Sequence, residues 1–293
     1  MNDFFVNIIL TMPLVGAYTM FALGIVFIYR GSKVLNLAHG AMAMFPAYVA
    51  YSAAQRTSVF VALAVALVAG ALLGLGVERI VVRRLRPSGP TAQTVGTVAV
   101  LGLLIAIAAR LWGTTPLLAP QIFPKQIYQV GNATLQLGSV GLFAVALAAA
   151  AAFIALFKYT DLGLALRASA NNPRAAGLVG IDPEKTTAVA WAFAGVLAAL
   201  GGVLLAATTN LHPYTLSLEV LPAFVAALLG GLDDVKGAVI GSIFVGMVIG
   251  IVPTLPVIGS TVGIQQAVLG LVAVVVMGLR GQRFSASDVR SGL

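Results

Sequence analysis

Two stretches of this sequence place polar, glycine and proline residues inside long apolar surroundings, a pattern suited to passing a polar solute rather than transforming one. The first, Gly31-Ser-Lys-Val-Leu-Asn-Leu-Ala-His-Gly40, sets Asn36, His39 and Gly40 immediately before a short apolar run containing Pro46. The second runs from Thr208, Thr209 and Asn210 through His212, Pro213 and Glu219 to Pro222, and closes on Gly230, Gly231, Asp233 and Asp234. Backbone groups freed where a helix is interrupted are tolerated at membrane depth only when buried in protein or lining a cavity, and transporters bind their cargo at such breaks. Asn36, His39, Thr208, Asn210 and Glu219 are therefore candidate polar linings of a translocation path, with Gly40, Pro222, Gly230 and Gly231 as the backbone breaks beside them. Corresponding breaks in the two halves suggest two structural repeats around one path. The stretches share little literal identity, so unrelated loop chemistry accounts for them too. His39 also fits an interface residue bonded to a neighbouring backbone, and Glu219 a first-turn carboxylate at a helix N-terminus.

Other chemistries lack their residues. There are no cysteines, which removes disulfides, thiolate metal sites and Cys nucleophiles, and the two histidines are too few for a typical metal cluster. No GxxxxGK[ST] sequence occurs, so the chain cannot cradle ATP phosphates in the P-loop manner. Chains of intramembrane Asp, Glu, Lys or Arg, expected of proton-driven transporters, channels or carriers, are missing, as is a Ser-His, His-Glu-x-x-His or aspartyl pair for an intramembrane enzyme. Energy for transport is therefore expected from a partner, with an ion-coupled secondary transporter or a channel as the alternative of another class.

A third stretch, Asp161 to Lys185, predicts a helix over Leu164 to Ala170, a break at Asn172-Pro173 and a second short helix through Leu178. Ala165, Ala168, Ala170, Ala175, Ala176 and Gly177 would make it a slim hairpin that fits a groove on another protein.

Membrane helices must position these segments. Of 293 residues, 60% are hydrophobic and 9% charged, against about 25% charged in soluble domains, and mean hydropathy is +1.02. Apolar runs at 5–28, 38–54, 59–80, 93–111, 138–157, 188–208, 217–232, 237–253 and 263–279 are candidate spans, 38–54 and 217–232 being short. Placing Arg79, Arg83, Arg84 and Arg86 in the cytoplasm puts 14 of the 17 Lys and Arg residues on that side, with Arg56, Arg110 and Lys125 outside. The net charge of +8 thus reads as an orientation signal, not a nucleic-acid footprint. The first span starts near Met1 without a basic leader and is expected to remain as a membrane helix. Gly70 with Gly74, Gly237 with Gly241 and Gly246 with Gly250 set small residues on single helix faces, where neighbours can approach.

The runs NLAHGAMAMFPAYVAY at 36–51, GLALRASANNPRAAGLVGID at 163–182 and VLPAFVAALLGGLDDVKGAVIGSIFVG from Val220 resemble the branched-chain amino-acid ABC-importer permeases of the LivH/LivM type, more similar to LivH. The resemblance spans nearly the whole chain. It implies an all-α polytopic membrane fold with 8–9 transmembrane helices, one permease domain over 1–293 with a cytoplasmic coupling segment at 160–187, and residence in the bacterial inner membrane. It further implies that Gly163, Arg167, Ala168, Asn171, Ala175, Gly180, Ile181 and Asp182 couple the chain to an ATPase. The expected partners are a second, LivM-like permease, two cytoplasmic ATPases carrying the ATP, an extracytoplasmic substrate-binding protein and membrane lipid; the chain itself binds no cofactor and is not an enzyme. Leu37, where Phe or Met often stands, and Met42, where an acid is common, depart from the usual pattern. The resemblance thus leaves two substrate classes, a branched-chain amino acid or, as in some members, urea or a short amide.

Overall fold

Away from their ends, helices satisfy their backbone donors and acceptors within their own segment, which an apolar surrounding demands, and the apolar runs fold accordingly. The computed structural model describes residues 2–119, 127–130, 133–252, 255 and 263–290. Its elements are α1 (Asn2–Ser32), α2 (His39–Ala54), α3 (Val59–Val77), α4 (Gly89–Trp112), β1 (Ile127–Val130), β2 (Ala133–Gln136), α5 (Leu137–Tyr159), α6 (Asp161–Asn171), α7 (Pro173–Leu178), α8 (Pro183–Thr208), α9 (Pro213–Leu218), α10 (Val220–Gly230), α11 (Val235–Ile251) and α12 (Ile264–Arg290). A π-helical turn, Glu78–Val82, extends α3.

Thr11–Ser32, Val59–Val82, Arg86–Trp112, Val140–Tyr159, Pro183–Thr208 and Pro213–Gly230 are each long and apolar enough to cross a membrane; Val235–Ile251 and Ile264–Gly278 are shorter apolar helices. The purely helical expectation misses one feature between the anticipated 93–111 and 138–157 spans, where β1 and β2 pair antiparallel with Ile127 opposite Gln136. The stretch between the anticipated 237–253 and 263–279 spans lies outside the described residues except for Leu255, and so does Lys125.

α1 and α8 form the core. In their apolar windows 89% and 72% of residues are buried, against 22% in those of α3, α4 and α5. Outward on the latter helices stand Phe60, Val68, Leu72, Leu103, Leu111 and Leu147, all exposed, an apolar surface that lipid rather than water accommodates.

The glycine pairs mark the helix crossings. A Cβ on Gly74 would lie 2.8 Å from the Trp191 carbonyl carbon of α8, and one on Gly241 2.9 Å from that of Ala226 in α10. A Cβ on Gly250 would lie 2.7 Å from Thr11 Cβ in α1. Without a hydrophobic force between helices in lipid, such close backbone packing holds them together.

Contacts between connecting segments gather the basic residues at one end. Lys33 pairs with Asp233 at 2.9 Å, Arg83 reaches Glu184 at 3.4 Å, and the Arg30 guanidinium lies 5.1 Å over the Phe157 ring.

Candidate functional site

The first break is a buried turn. Past Ser32, residues 33–38 leave helical structure, with Lys33 at a left-handed φ of 55°. The freed backbone finds side chains: the Leu37 N–H donates to Thr97 Oγ1 at 3.0 Å, and the Ala38 N–H to Asn36 Oδ1 at 3.0 Å. Asn36 Nδ2 in turn meets Met42 Sδ at 3.2 Å. The His39 ring packs against Gly24, where a Cβ would come within 2.6 Å of it. Gly24 lies eight residues before the end of α1, about 12 Å at the helical rise, so α2 begins inside the bundle. His39 is fully buried and edge-on to Phe21 with centroids 6.2 Å apart. Neither of its ring nitrogens has a hydrogen-bond partner among the described residues.

The second break lies against the first. α8 ends at Thr208, and Leu211 pairs with Leu117 as an isolated antiparallel bridge, N···O 2.9 and 3.0 Å. His212 Nδ1 caps α9 by accepting from the Thr215 N–H at 3.4 Å. The helix is interrupted at Glu219, where Pro222 cannot supply the N–H that the Leu218 carbonyl would take. A Cβ on Gly40 would lie 2.9 Å from the Ser217 carbonyl carbon and 3.0 Å from Val220 Cβ. The N-terminus of α2 thus rests on the α9–α10 junction, and the two interrupted stretches meet.

Glu219 makes no cap bond to α10; its Oε2 instead accepts from the Tyr18 hydroxyl of α1 at 2.7 Å. A cavity of about 280 Å³ opens beside this pair, lined by Leu14, Tyr18, Leu205, Thr209, Glu219, Pro222, Ile249, Gln265, Gln266 and Leu269. Among the residues proposed from sequence, Glu219 and Pro222 line it; Thr208 and Asn210 are exposed next to Thr209. Asn36, His39 and Gly40 are packed within the bundle. Gly230 and Gly231 sit in the α10–α11 turn, Gly231 at φ 83° and Gly230 in backbone contact with Gly237. Tyr18, Gln265 and Gln266 escaped the sequence reasoning. The available signal was a polar group within an apolar span in the first case and paired amides at its start in the others.

At the basic end, α6 and α7 form the anticipated hairpin. Thr160 caps α6 by accepting from the Gly163 N–H at 3.2 Å, and Asn172 caps α7 by accepting from Ala175 at 3.0 Å. Gly163 packs directly on the Phe157 carbonyl, and Arg167 donates to that same carbonyl with its guanidinium 5.4 Å over the Phe157 ring. Ala168 is half-buried; Asn171, Ala175 and Gly180 are exposed, Gly180 at φ 85°. The half-buried Ile181 returns its N–H to the Ala176 carbonyl at 2.9 Å. Leu178 and Val179, 90% and 76% exposed, form an apolar tip.

Asp182 then caps α8, accepting from the Lys185 and Glu184 N–H groups at 3.2 and 2.9 Å. These bonds, with the Lys185 ammonium, hold its carboxyl below the usual aspartate range. Nearby, the fully buried Glu78 accepts from Arg83 at 3.1 and 3.2 Å and lies 3.6 Å from Arg86. Arg83 and Arg86 also reach Glu184 at 3.4 and 3.5 Å. The Glu78 hydrogen bonds hold the Arg83 guanidinium above its ordinary pKa.

Residues 7–277 match the family described as branched-chain amino acid transport system / permease component. The chain is 30% identical over 239 residues to the probable branched-chain amino acid transport permease protein LivH of Methanocaldococcus jannaschii, covering 78% of this chain and 74% of that one. It is 26% identical over 246 residues to the high-affinity branched-chain amino acid transport system permease protein LivH of Escherichia coli K12, covering 78% and 80%. Similarity to the corresponding BraD protein of Pseudomonas aeruginosa is 23% over 246 residues, again 78% and 80%. No solved structure matches the chain.

Proposed function

This chain belongs to the branched-chain amino acid transport permease family, and from that membership we propose that it is a transmembrane subunit of an ATP-driven importer moving branched-chain amino acids by alternating access. It is a multi-pass membrane protein; its proposed home is the bacterial inner membrane. The crossings would number nine: the six long helices, the two shorter ones, and α2 reached through the 33–38 turn.

The observation that carries this proposal is the meeting of the two helix interruptions inside the bundle at Gly40 and Ser217, beside a cavity with mixed aliphatic and polar walls. Breaks of this kind are where transporters handle solutes. Asn36, His39, Gly40, Thr208, Asn210, Glu219, Pro222, Gly230 and Gly231 remain the proposed path.

Energy arrives at the other end. The Leu178–Val179 tip offers an apolar contact outside the spans, as docking of a cytoplasmic ATPase at Gly163, Arg167, Ala168, Asn171, Ala175, Gly180, Ile181 and Asp182 would require. ATP would be bound and hydrolysed by two such subunits. A LivM-like second permease completes the path and an extracytoplasmic binding protein delivers substrate.

The test is uptake of radiolabelled leucine, isoleucine, valine and urea by cells carrying the whole gene cluster, with and without this chain. Loss of saturable amino-acid uptake is expected. Selective loss of urea uptake would move the substrate to urea and short amides, and unchanged uptake of all four would overturn the assignment.

A further inference from the structure

Building on the transport assignment, we propose that the chamber beside Tyr18 is a transient substrate subsite in which Glu219 receives the ammonium group of an aliphatic amino acid. Glu219 is the acidic member of the chamber lining, which among the described residues holds no Lys, Arg or His. Tyr18 engages its Oε2, and among the described residues no cation pairs with the carboxylate. A carboxylate placed six residues into an apolar span without a protein counter-charge is costly, and such acids mark cation pathways. The missing charge is what an α-ammonium supplies.

The rest of the wall selects which ammonium. Leu14, Leu205, Ile249 and Leu269 line the same cavity of about 280 Å³, so an aliphatic side chain is received by like surface. Gln266 offers a neutral donor to the substrate carboxylate, while the Thr209 hydroxyl beside it already donates to the Leu205 carbonyl at 3.0 Å. One carboxylate with a tyrosine falls short of the six or more oxygens of a Ca²⁺ site, and a neutral amide such as urea can donate hydrogen bonds to the carboxylate but brings no charge to neutralise it. Tyr18, 2% exposed, is a positioning residue: its hydroxyl orients Glu219.

The complete importer in nanodiscs, without its binding protein, is titrated with radiolabelled leucine. Leucinamide, which keeps the ammonium, and 4-methylpentanoate, which lacks it, are the competitors. We expect leucinamide to compete and 4-methylpentanoate to fail. Glu219→Gln should weaken leucine binding about ten- to hundred-fold and erase the preference between competitors. Tyr18→Phe, which preserves ring packing, should weaken binding about three- to ten-fold and guards against a misfolded Glu219 variant. Equal competition by both analogues, unchanged binding in both variants, or no leucine binding by the native complex would each overturn the subsite. Leucine uptake by the native importer with its binding protein is measured in parallel. If that uptake is intact, failure belongs to the subsite alone; if it is absent, the transport assignment fails first.

Discussion

Gly195→Ala should separate two helices. A Cβ on Gly195 would stand 2.8 Å from the Gly70 carbonyl carbon of α3, nearer still to its oxygen, and 3.3 Å from Gly74 Cα. Carbon contacts settle at about 3.5–4.0 Å, so α3 must retreat from α8 by about 1 Å, and a gap of that size forfeits a quarter to a half of the dispersion energy at each affected contact. Lipid offers no hydrophobic force to close it again. Overpacking of this kind costs about 1–3 kcal/mol, a drop of roughly 5 °C in melting temperature for a protein of this size. Gly76→Ala and Gly102→Ala are the matched controls, because nothing lies within 4 Å of a Cβ at either position. Alanine's better helix propensity makes them neutral or slightly stabilising. The assay is scanning fluorimetry of the purified assembled transporter, with subunit stoichiometry checked by gel. A Gly195→Ala protein melting together with the two controls would refute the close α3–α8 packing.

Three further outcomes are expected. Glu78→Gln leaves Arg83 and Arg86 with Glu184 as their carboxylate, so the loss is about 1–3 kcal/mol, short of an abandoned buried charge; unchanged melting of the variant would contradict the network. Arg167→Glu or Ala168→Trp should separate ATP hydrolysis from transport in reconstituted vesicles, and normal coupling in both variants would remove the hairpin from the coupling path. For Asp182 the folded pKa is depressed, so its contribution to stability is present above the ordinary aspartate range and is lost as pH falls through the depressed value. Amide exchange at Glu184 and Lys185, corrected for intrinsic rate, should therefore be protected at neutral pH and lose protection only below that range; equal exchange in Asp182→Asn at neutral pH would dismiss the cap.

What the sequence made legible followed from local rules. Hydropathy located the helices because each apolar run must fold on itself, and the 93–111 run needed only its Gly-Pro start to become Gly89–Trp112. The glycine spacing identified faces that do lie at crossings, since backbone approach depends on the missing Cβ alone. Asn172-Pro173 announced the break between α6 and α7, whereas the start of α6 at Asp161, capped by Thr160, lies three residues before the expected Leu164. By contrast, Tyr18 and Glu219 are 201 residues apart, and no periodicity relates them. Thr97, which holds the 33–38 turn, looked like an ordinary residue of an apolar span. Arg167 was expected only as a coupling residue, and nothing in the sequence showed that its guanidinium is tied to Phe157, where a terminal carbonyl of α5 and an aromatic face lie within its reach.

The distribution of contact types separates what can move from what cannot. α8 meets α3 through a backbone-to-backbone crossing at Gly195 and meets α1 at Gly201, which packs on the Phe21 ring and the Ala17 carbonyl, close contacts that small displacements destroy rather than bend. The 33–38 turn and the α1 side of the α9–α10 junction are held instead by single side-chain bonds, each able to reform with another partner. Those at Thr97, Asn36 and His212 are worth about 1 kcal/mol net and that from Tyr18 to the Glu219 carboxylate about 1.5–3 kcal/mol, whereas the α2 side of the junction is a close backbone contact at Gly40 and Ser217. A push on the α6–α7 hairpin reaches α8 through the Asp182 cap and α3 through Glu184, Arg83 and Glu78. Under alternating access, α1, α3 and α8 would then travel as one body, and the displacement would be absorbed where the bonds are exchangeable. That boundary runs along Tyr18 and Glu219, so opening and closing of the chamber would make and break this hydrogen bond.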